Sequence, residues 1–508
     1  MTMSRNPMTV RTILLLAATT ALAGCNLAPA NVRPEGAIPL TLPQGGAYPP
    51  LGPEQVDVTR IGYRDFFVDP RLQAVISTAL ENNRDLRVTA ANVLEARAQY
   101  RVTRADRVPT TSVNGGLIYT NNPFGAAGGA AGGAAGGAGG ATGGTGGGAG
   151  AGGVGGGAAA TTSAGNLEIY QASVGFSAFE LDLFGRVRNL SQAALQQYFA
   201  TEEAQRAARI ALVGEIATAW LTLAADQDLL RISRDTLGSF GRSLELTRAQ
   251  FRVGVISELE VQQAETNYQQ ARNDIAALTA QIAQDQNAVN LLAGTTVPIE
   301  QLPTTGLGTA DPVLSDLPTG VQSTVLLRRP DVLQSERRLF AANANIGAAR
   351  AAMFPTISLT ATLGTISTAL GGLFGAGTDN FSIGPAVALP LFDGGRRQAN
   401  VEVARAQQLA AVATYEDTLQ TAFREVADAL ATRGTIGEQL AAQTARARAA
   451  ETAARLSDAR YRAGVDSFLT TLDAQRTSYA ARQTLVQTRL TRATNLVTLY
   501  RTLGGGLN

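Results

Sequence analysis

The sequence predicts a mostly helical chain with a small complement of membrane-type β-strands, built as two tandem copies of one unit. Three observations predict it. A nine-residue turn is written twice, as FRVGVISEL at 251–259 and YRAGVDSFL at 461–469, an offset of 210 with no gap. Each copy sits in a stretch free of proline, 187–297 and 391–508, rich in Ala, Gln, Leu, Arg and Glu. Strong helix formers without a breaker read as helix. Four runs elsewhere alternate apolar with small or polar residues at period two, the mark of a strand with one apolar face.

The chain opens MTMSRNPMTVRTILLLAATTALAGC. Arg5 and Arg11 precede an apolar run and small residues, which is the pattern of a secretory signal over 1–24. The run is shorter than the roughly 20 residues of a spanning helix. Leu22-Ala23-Gly24-Cys25 resembles a bacterial lipobox, which implies acyl chains on Cys25 as the first mature residue. Asn26 in place of aspartate then permits the outer membrane. Residues 25–65 carry many prolines and read as an extended, lipidated tether along the body.

Composition excludes several classes. A net charge of +1 lacks the basic surplus of a nucleic-acid binder. There is no His and one Cys, so the commonest general base, disulfides and thiolate metal sites are missing. No cofactor is expected and no enzyme is indicated. The glycine-rich tract has neither the Lys nor the strand–helix context of a phosphate-binding loop.

The duplication runs the whole length. Asp85, Ala96, Arg104 and Pro109 match Asp331, Ala342, Arg350 and Pro355 at offset 246, and Leu181–Phe184 matches Leu389–Phe392 at offset 208. The difference, 246 − 208 = 38, falls in the Gly/Ala tract of the 125–160 loop. Repeat 1 therefore spans 66–300, a linker 301–319 follows, and repeat 2 spans 320–508. Each repeat reads helix, strand, strand, very long helix, turn, helix. In the first copy Val113, Leu117 and Tyr119 form one apolar face, then Tyr170, Ala172, Val174, Phe176 and Ala178. In the second, Ile357, Leu359, Ala361 and Leu363 do so, then Phe381, Ile383, Val387 and Leu389. These runs fit membrane-spanning strands or a two-faced soluble sheet equally well. At 1.5 Å per residue the helix near 187–253 spans roughly 100 Å, and helices near 68–106 and 255–291 each span roughly 55–60 Å. Two short helices end to end match one long one, as in a hollow rod.

In each turn the glycine, Gly254 or Gly464, allows the chain to reverse at φ > 0. Ser257, Asp466 and Ser467 are placed to cap the following helix. Four strands cannot close a barrel, and an open edge in lipid leaves backbone groups unpaired, so strands in lipid demand an oligomer.

Four strings carry a specific resemblance: LRRPDV at 327–332, AANANIGAARAAMFP at 341–355, PLFDGGRR at 390–397 and YRAGVDSFLTTLDAQR at 461–476. From about residue 65 onward the chain resembles the TolC family of outer-membrane efflux channels, in its lipoprotein, NodT-like branch. The resemblance implies a homotrimer with a twelve-stranded barrel in outer-membrane lipid, a twelve-helix periplasmic α-barrel and a mixed equatorial domain. It implies a periplasmic adaptor and an inner-membrane resistance-nodulation-division pump as partners. The implied periplasmic gate is Leu469 and Asp473, four apart on one helix face; Thr470 stands where some relatives have a second acidic residue. The bland alternatives are a solvated face for Asp473 and hairpin packing for Leu469. Arg252, Gly254, Val255, Ser257, Arg462, Gly464, Val465 and Ser467 are implied as the adaptor-contacting tips, though a turn needs its glycine in any case. The expected function is small-molecule efflux; the same architecture also serves as the exit duct of type I protein secretion.

Overall fold

The computed structural model describes residues 26–34, 36–39, 41–49, 61–120, 167–304, 306–307, 314 and 323–505. The signal 1–24, Cys25, part of the tether, the glycine-rich loop and most of the 301–319 linker lie outside the described residues. Helices α1 (Pro70–Asn82) and α2 (Arg84–Ala105) lead into strands β1 (Ser112–Thr120) and β2 (Leu167–Glu180). Helices α3 (Arg186–Arg252) and α4 (Glu258–Ala293) complete the first copy. The second copy has α5 (Pro330–Ala351), β3 (Thr356–Ser367), β4 (Asp379–Ala388), α6 (Arg396–Arg462) and α7 (Phe468–Thr502). Both long helices have 67 residues and begin and end 210 apart (396 − 186 and 462 − 252).

Two compact units share the chain. One comprises residues 97–196 and 340–410 with the start of the tether. Its sheet has the order β1-β2-β3-β4, antiparallel throughout. Register aligns Val113, Val174, Leu363 and Phe381 in one row across all four strands. The adjacent rows are Ser112, Gly175, Thr362, Ser382 and Asn114, Ser173, Gly364, Asn380. Successive side chains point to opposite faces, so one face is apolar and the other small and polar. The apolar row is exposed: Val113 is 82% and Phe381 77% accessible. An apolar face turned outward with polar groups behind it is the pattern of a lipid-facing barrel wall.

One strand assignment needs correction. The alternation through Ala178 does not hold, because a bulge intervenes between Phe176 and Phe179. Ala178 takes φ 49° and its N–H donates to Thr360 Oγ1 at 3.0 Å. The extra residue passes the apolar face to Phe179, opposite Leu359. At the same seam a Cβ on Gly175 would lie 2.1 Å from the Ala361 carbonyl oxygen, and one on Gly364 2.2 Å from that of Ala172. Glycine there lets the two backbones close up where the sheet bends. Below it, Phe184 stacks on Phe354 at 4.6 Å.

The other unit comprises residues 32–96, 197–339 and 411 onward. Its core gathers Ile216, Trp220 and Leu221 of α3, Leu419 and Val426 of α6, and Leu499 and Tyr500 of α7. Phe66 stacks on Tyr500 at 4.3 Å, and the Tyr500 hydroxyl donates to the Ile61 carbonyl. Trp220 Nε1 donates to the Gln301 carbonyl at 3.1 Å. These polar bonds let large amphipathic rings be buried without orphaned donors.

The single helix expected near 68–106 is instead two, broken at Asn83. This side chain is buried; its Oδ1 accepts from Leu86 N–H at 2.8 Å and its Nδ2 donates to the Leu292 carbonyl at 2.9 Å. It thus starts α2 while satisfying the end of α4. The repeat mate, at 83 + 246 = 329, is also a break. Arg329 precedes Pro330 and binds Asp331, Glu425 and the Thr502 carbonyl.

The tether lies against each unit in turn. In the sheet-bearing unit Arg350 donates to the Leu27 carbonyl at 3.0 Å and Asn343 to Asn31 at 3.1 Å. In the helical unit Arg33 pairs with Glu336 at 2.7 Å and Leu42 is buried. The Ala47 carbonyl passes Gly434 so closely that a Cβ there would lie 2.0 Å from it.

Candidate functional site

Both tips are built by the same helix-ending bond pattern. Gly254 has φ 79° and Gly464 φ 74°. Gly254 N–H donates to Phe251 O and Val255 N–H to Gln250 O; Gly464 and Val465 donate likewise to Tyr461 and Arg460, all at 2.9–3.0 Å. This pair of bonds satisfies the last carbonyls of α3 and α6, and the left-handed residue must be glycine for lack of steric cost. Arg252 and Arg462 are the last residues of those helices.

The next helices start differently. Ser467 caps α7, its hydroxyl accepting from Thr470 N–H at 3.4 Å. Ser257 holds the same position on α4 without a side-chain cap bond. Asp466 does not cap; it takes a two-pronged ion pair from Arg460 at 2.6 and 2.9 Å. That contact holds the Asp466 carboxyl below its ordinary range. In the first tip the equivalent positions are Gln250 and Ile256, so the pair is private to the second.

Beneath the turns, Leu244, Ala264, Phe468 and Leu472 form a small core flanked by Val261, Tyr268 and Tyr461. The Tyr461 hydroxyl donates to Gln250 Oε1 at 2.5 Å, tying α6 to α3. Burial raises the Tyr461 hydroxyl, Gln250 lowers it in part, and Glu260 adds a further rise. The Glu260 Oε2 atom is buried without a hydrogen-bond partner.

Leu469 and Asp473 are brought together on the outer face of α7, both exposed, Leu469 by 60%. Hairpin packing is therefore not what holds Leu469; its neighbour Phe468 fills that role. Leu259 is likewise 65% exposed. Val253, Val255 and Val465 are exposed by 74%, 71% and 62%, so each tip presents apolar surface around its turn. A reading of the sequence by identities overlooks Arg460, Asp466, Gln250 and Tyr461. The signal for them is where the two tips differ, Gln250/Arg460, Phe251/Tyr461 and Ile256/Asp466.

Comparison with known proteins agrees with this architecture. The family model described as outer membrane efflux protein matches residues 75–295 and 321–505. The chain is 42% identical over 497 residues to the probable efflux pump outer membrane protein TtgC of Pseudomonas putida, covering 98% of this chain and 96% of that one. It is 37% identical over 489 residues to the cation efflux system protein CusC of Escherichia coli O157:H7, covering 96% of each. Among solved structures, the open-state MtrE outer membrane channel of Neisseria gonorrhoeae superposes with a TM-score of 0.78 at 32% identity, over 95% of this chain and 99% of that one. A Pseudomonas aeruginosa membrane protein gives 0.82 at 37%, over 94% and 100%. The tandem repeat, the four-stranded sheet with an apolar outer face and the paired helical tips are those of a trimeric outer-membrane channel reaching into the periplasm, and the chain belongs to the outer membrane efflux protein family.

Proposed function

We propose that this channel is the exit duct for small toxic organic compounds, delivered by a periplasmic adaptor and an inner-membrane resistance-nodulation-division pump. The observation that carries the reading is the pair of tips: two glycine turns, rimmed by exposed Val253 and Val255 in the first and Val465 in the second, offer a rigid apolar surface for a partner to grip. Arg252, Val255 and Ser257 in the first tip, with Arg462, Val465 and Ser467 in the second, supply that surface around Gly254 and Gly464. The cargo class is suggested by relatives named as toluene, solvent and antibiotic efflux pump proteins. Leu469 and Asp473, repeated around a threefold axis, make an apolar ring and a carboxylate ring that close the periplasmic end and favour cations. Cys25, the first residue of the tether, anchors the mature chain through acyl chains.

The test is complementation in a strain lacking its own channel. With the cognate adaptor and pump, the chain should restore resistance to toluene and hydrophobic antibiotics, and Gly464→Pro, which cannot form the turn, should not. Restored secretion of a type I protein substrate without restored solvent resistance would overturn the small-molecule reading. Intact-mass analysis should give a mature N-terminus at Cys25 heavier by its acyl chains.

A further inference from the structure

We propose that Asp226 of α3 and Asp285 of α4 form a proton-binding site that latches the first helical hairpin. Both carboxyls are buried, with 8% and 9% of their residues' surface accessible. Gln281 Nε2 donates to Asp285 Oδ1 at 2.8 Å, while Asp285 Oδ2 is buried with no donor upon it. The antiparallel hairpin sets the two carboxyls level, each 28 residues from the turn (254 − 226 and 285 − 257), and the Asp226 carboxyl meets that of Asp285 there. Two carboxylates in contact, away from water, do not both ionise; one proton held between them turns repulsion into a short hydrogen bond.

Among the described residues, the surrounding charges do not offer an alternative partner. On α3 the next charged groups are Asp228 and Arg231, paired with each other at 2.7 Å. Gly306, after α4, packs on that Asp228 carboxylate. From α7, Arg482 reaches Asp235 at 3.4 Å. The Asp274 carboxylate of α4 accepts from the Tyr479 hydroxyl. The charge acting on Asp226 is that of Asp285, and burial together with that charge raises the Asp226 carboxyl to about 7. The bound proton is therefore given up near neutral pH.

The second copy states what the fold itself requires. At offset 210 the same positions are Ile436 and Asn495, also buried, with Asn495 donating to the Ala429 carbonyl at 3.0 Å. The hairpin packs there without any ionisable pair. The carboxyls of the first copy are thus an addition, and protons act on one hairpin of the two.

The sign follows from linkage. A carboxyl raised in the folded state binds more protons folded than unfolded, so its contribution is full below the ordinary carboxylate range and is lost as pH rises through about 7. The experiment uses the purified full-length channel in detergent. The wild type should lose melting temperature by several degrees between pH 5 and 8 in excess of Asp226→Asn, which keeps a hydrogen bond but cannot titrate. Asp226→Ile with Asp285→Asn, the pair of the second copy, should behave like Asp226→Asn. Infrared spectra of wild type should contain a protonated-carboxyl band at pH 6 that is gone at pH 9 and absent from Asp226→Asn. Parallel melting curves for all three proteins, or no such band in wild type, would overturn the proposal.

Discussion

Two adjacent residues at the second tip should respond to the same truncation by very different amounts. Phe468 is 3% accessible and sits in the small core with Leu244 and Leu472. Phe468→Ala should cost about 3–5 kcal/mol, the usual penalty for emptying a buried aromatic site. Leu469 is 60% accessible, so most of its side chain makes no contact within the chain. Full burial of a leucine is worth roughly 2–3 kcal/mol, and Leu469→Ala should cost under about 1 kcal/mol. Asp473, an exposed position, should tolerate alanine within about 0.5 kcal/mol. Leu469→Ala with Asp473→Ala therefore tests the gate without unfolding the hairpin. In planar bilayers the double variant should conduct more than wild type and be blocked less by divalent cations, which prefer several carboxylate oxygens. Leu259→Ala with Gln263→Ala is the matched control in the first tip. Equal conductance and equal cation block in all three proteins, with trimers intact, would refute the gate at these residues.

The repeat also predicts how copies meet. Within the chain Ser173 of β2 faces Gly364 of β3; their repeat mates are Ser382 (173 + 209, the offset before the bulge) and Ile118 (364 − 246). Ser382→Cys and Ile118→Cys should form disulfide-linked trimers under oxidation, whereas Ser382→Cys with Gly116→Cys, slipped by two, should not; the reverse would refute the register. Gly175→Ala should block sheet closure, because its Cβ would meet the Ala361 carbonyl at 2.1 Å, and the expected readout is loss of heat-resistant trimer on a gel. Tyr461→Phe removes the bond to Gln250 and should lower stability by about 1 kcal/mol, with faster hydrogen exchange in both tips; unchanged exchange would mean that the bond does not couple them.

The features legible in sequence were those whose cause is local. Gly254 and Gly464 could be placed because a helix that stops and reverses needs a residue at positive φ. The strands could be placed because each carries its own alternation. The features that were not legible depend on partners far along the chain. The bulge at Ala178 is held by Thr360, 182 residues away, and the alternation through Ala178 gives no sign of it. The break at Asn83 is satisfied by Leu292, 209 residues away, and an asparagine inside a helical run does not announce a cap. Asp226 and Asp285 lie 59 residues apart (285 − 226) and equidistant from the turn, but an aspartate in a helical run reads as a solvated position, and nothing local marks these two as turned into the core. Arg460 and Asp466 lie six residues apart across the second turn, but a contact present in one copy alone leaves no mark in the identities between the copies.

The equal lengths of α3 and α6 divide the chain into parts that can and cannot gain or lose residues. One residue inserted into an α-helix advances everything beyond it by about 1.5 Å and turns it by about 100°. A single insertion in α3 would carry the first tip out of level with the second and rotate its valines away from the surface a partner reads. Only matched insertions in both copies would preserve that level, and single mutational events do not supply them. The offset of 210 therefore stays fixed from the start of each long helix to the tip and beyond it. No such coupling acts on the connection between β1 and β2, where the first copy carries 37 more residues than the second (246 − 209), the thirty-eighth being the bulge within β2. Length change in this protein is thus free between those strands and barred along the helices, so its relatives should differ in size at the strand connections while keeping the helix-to-tip distance residue for residue.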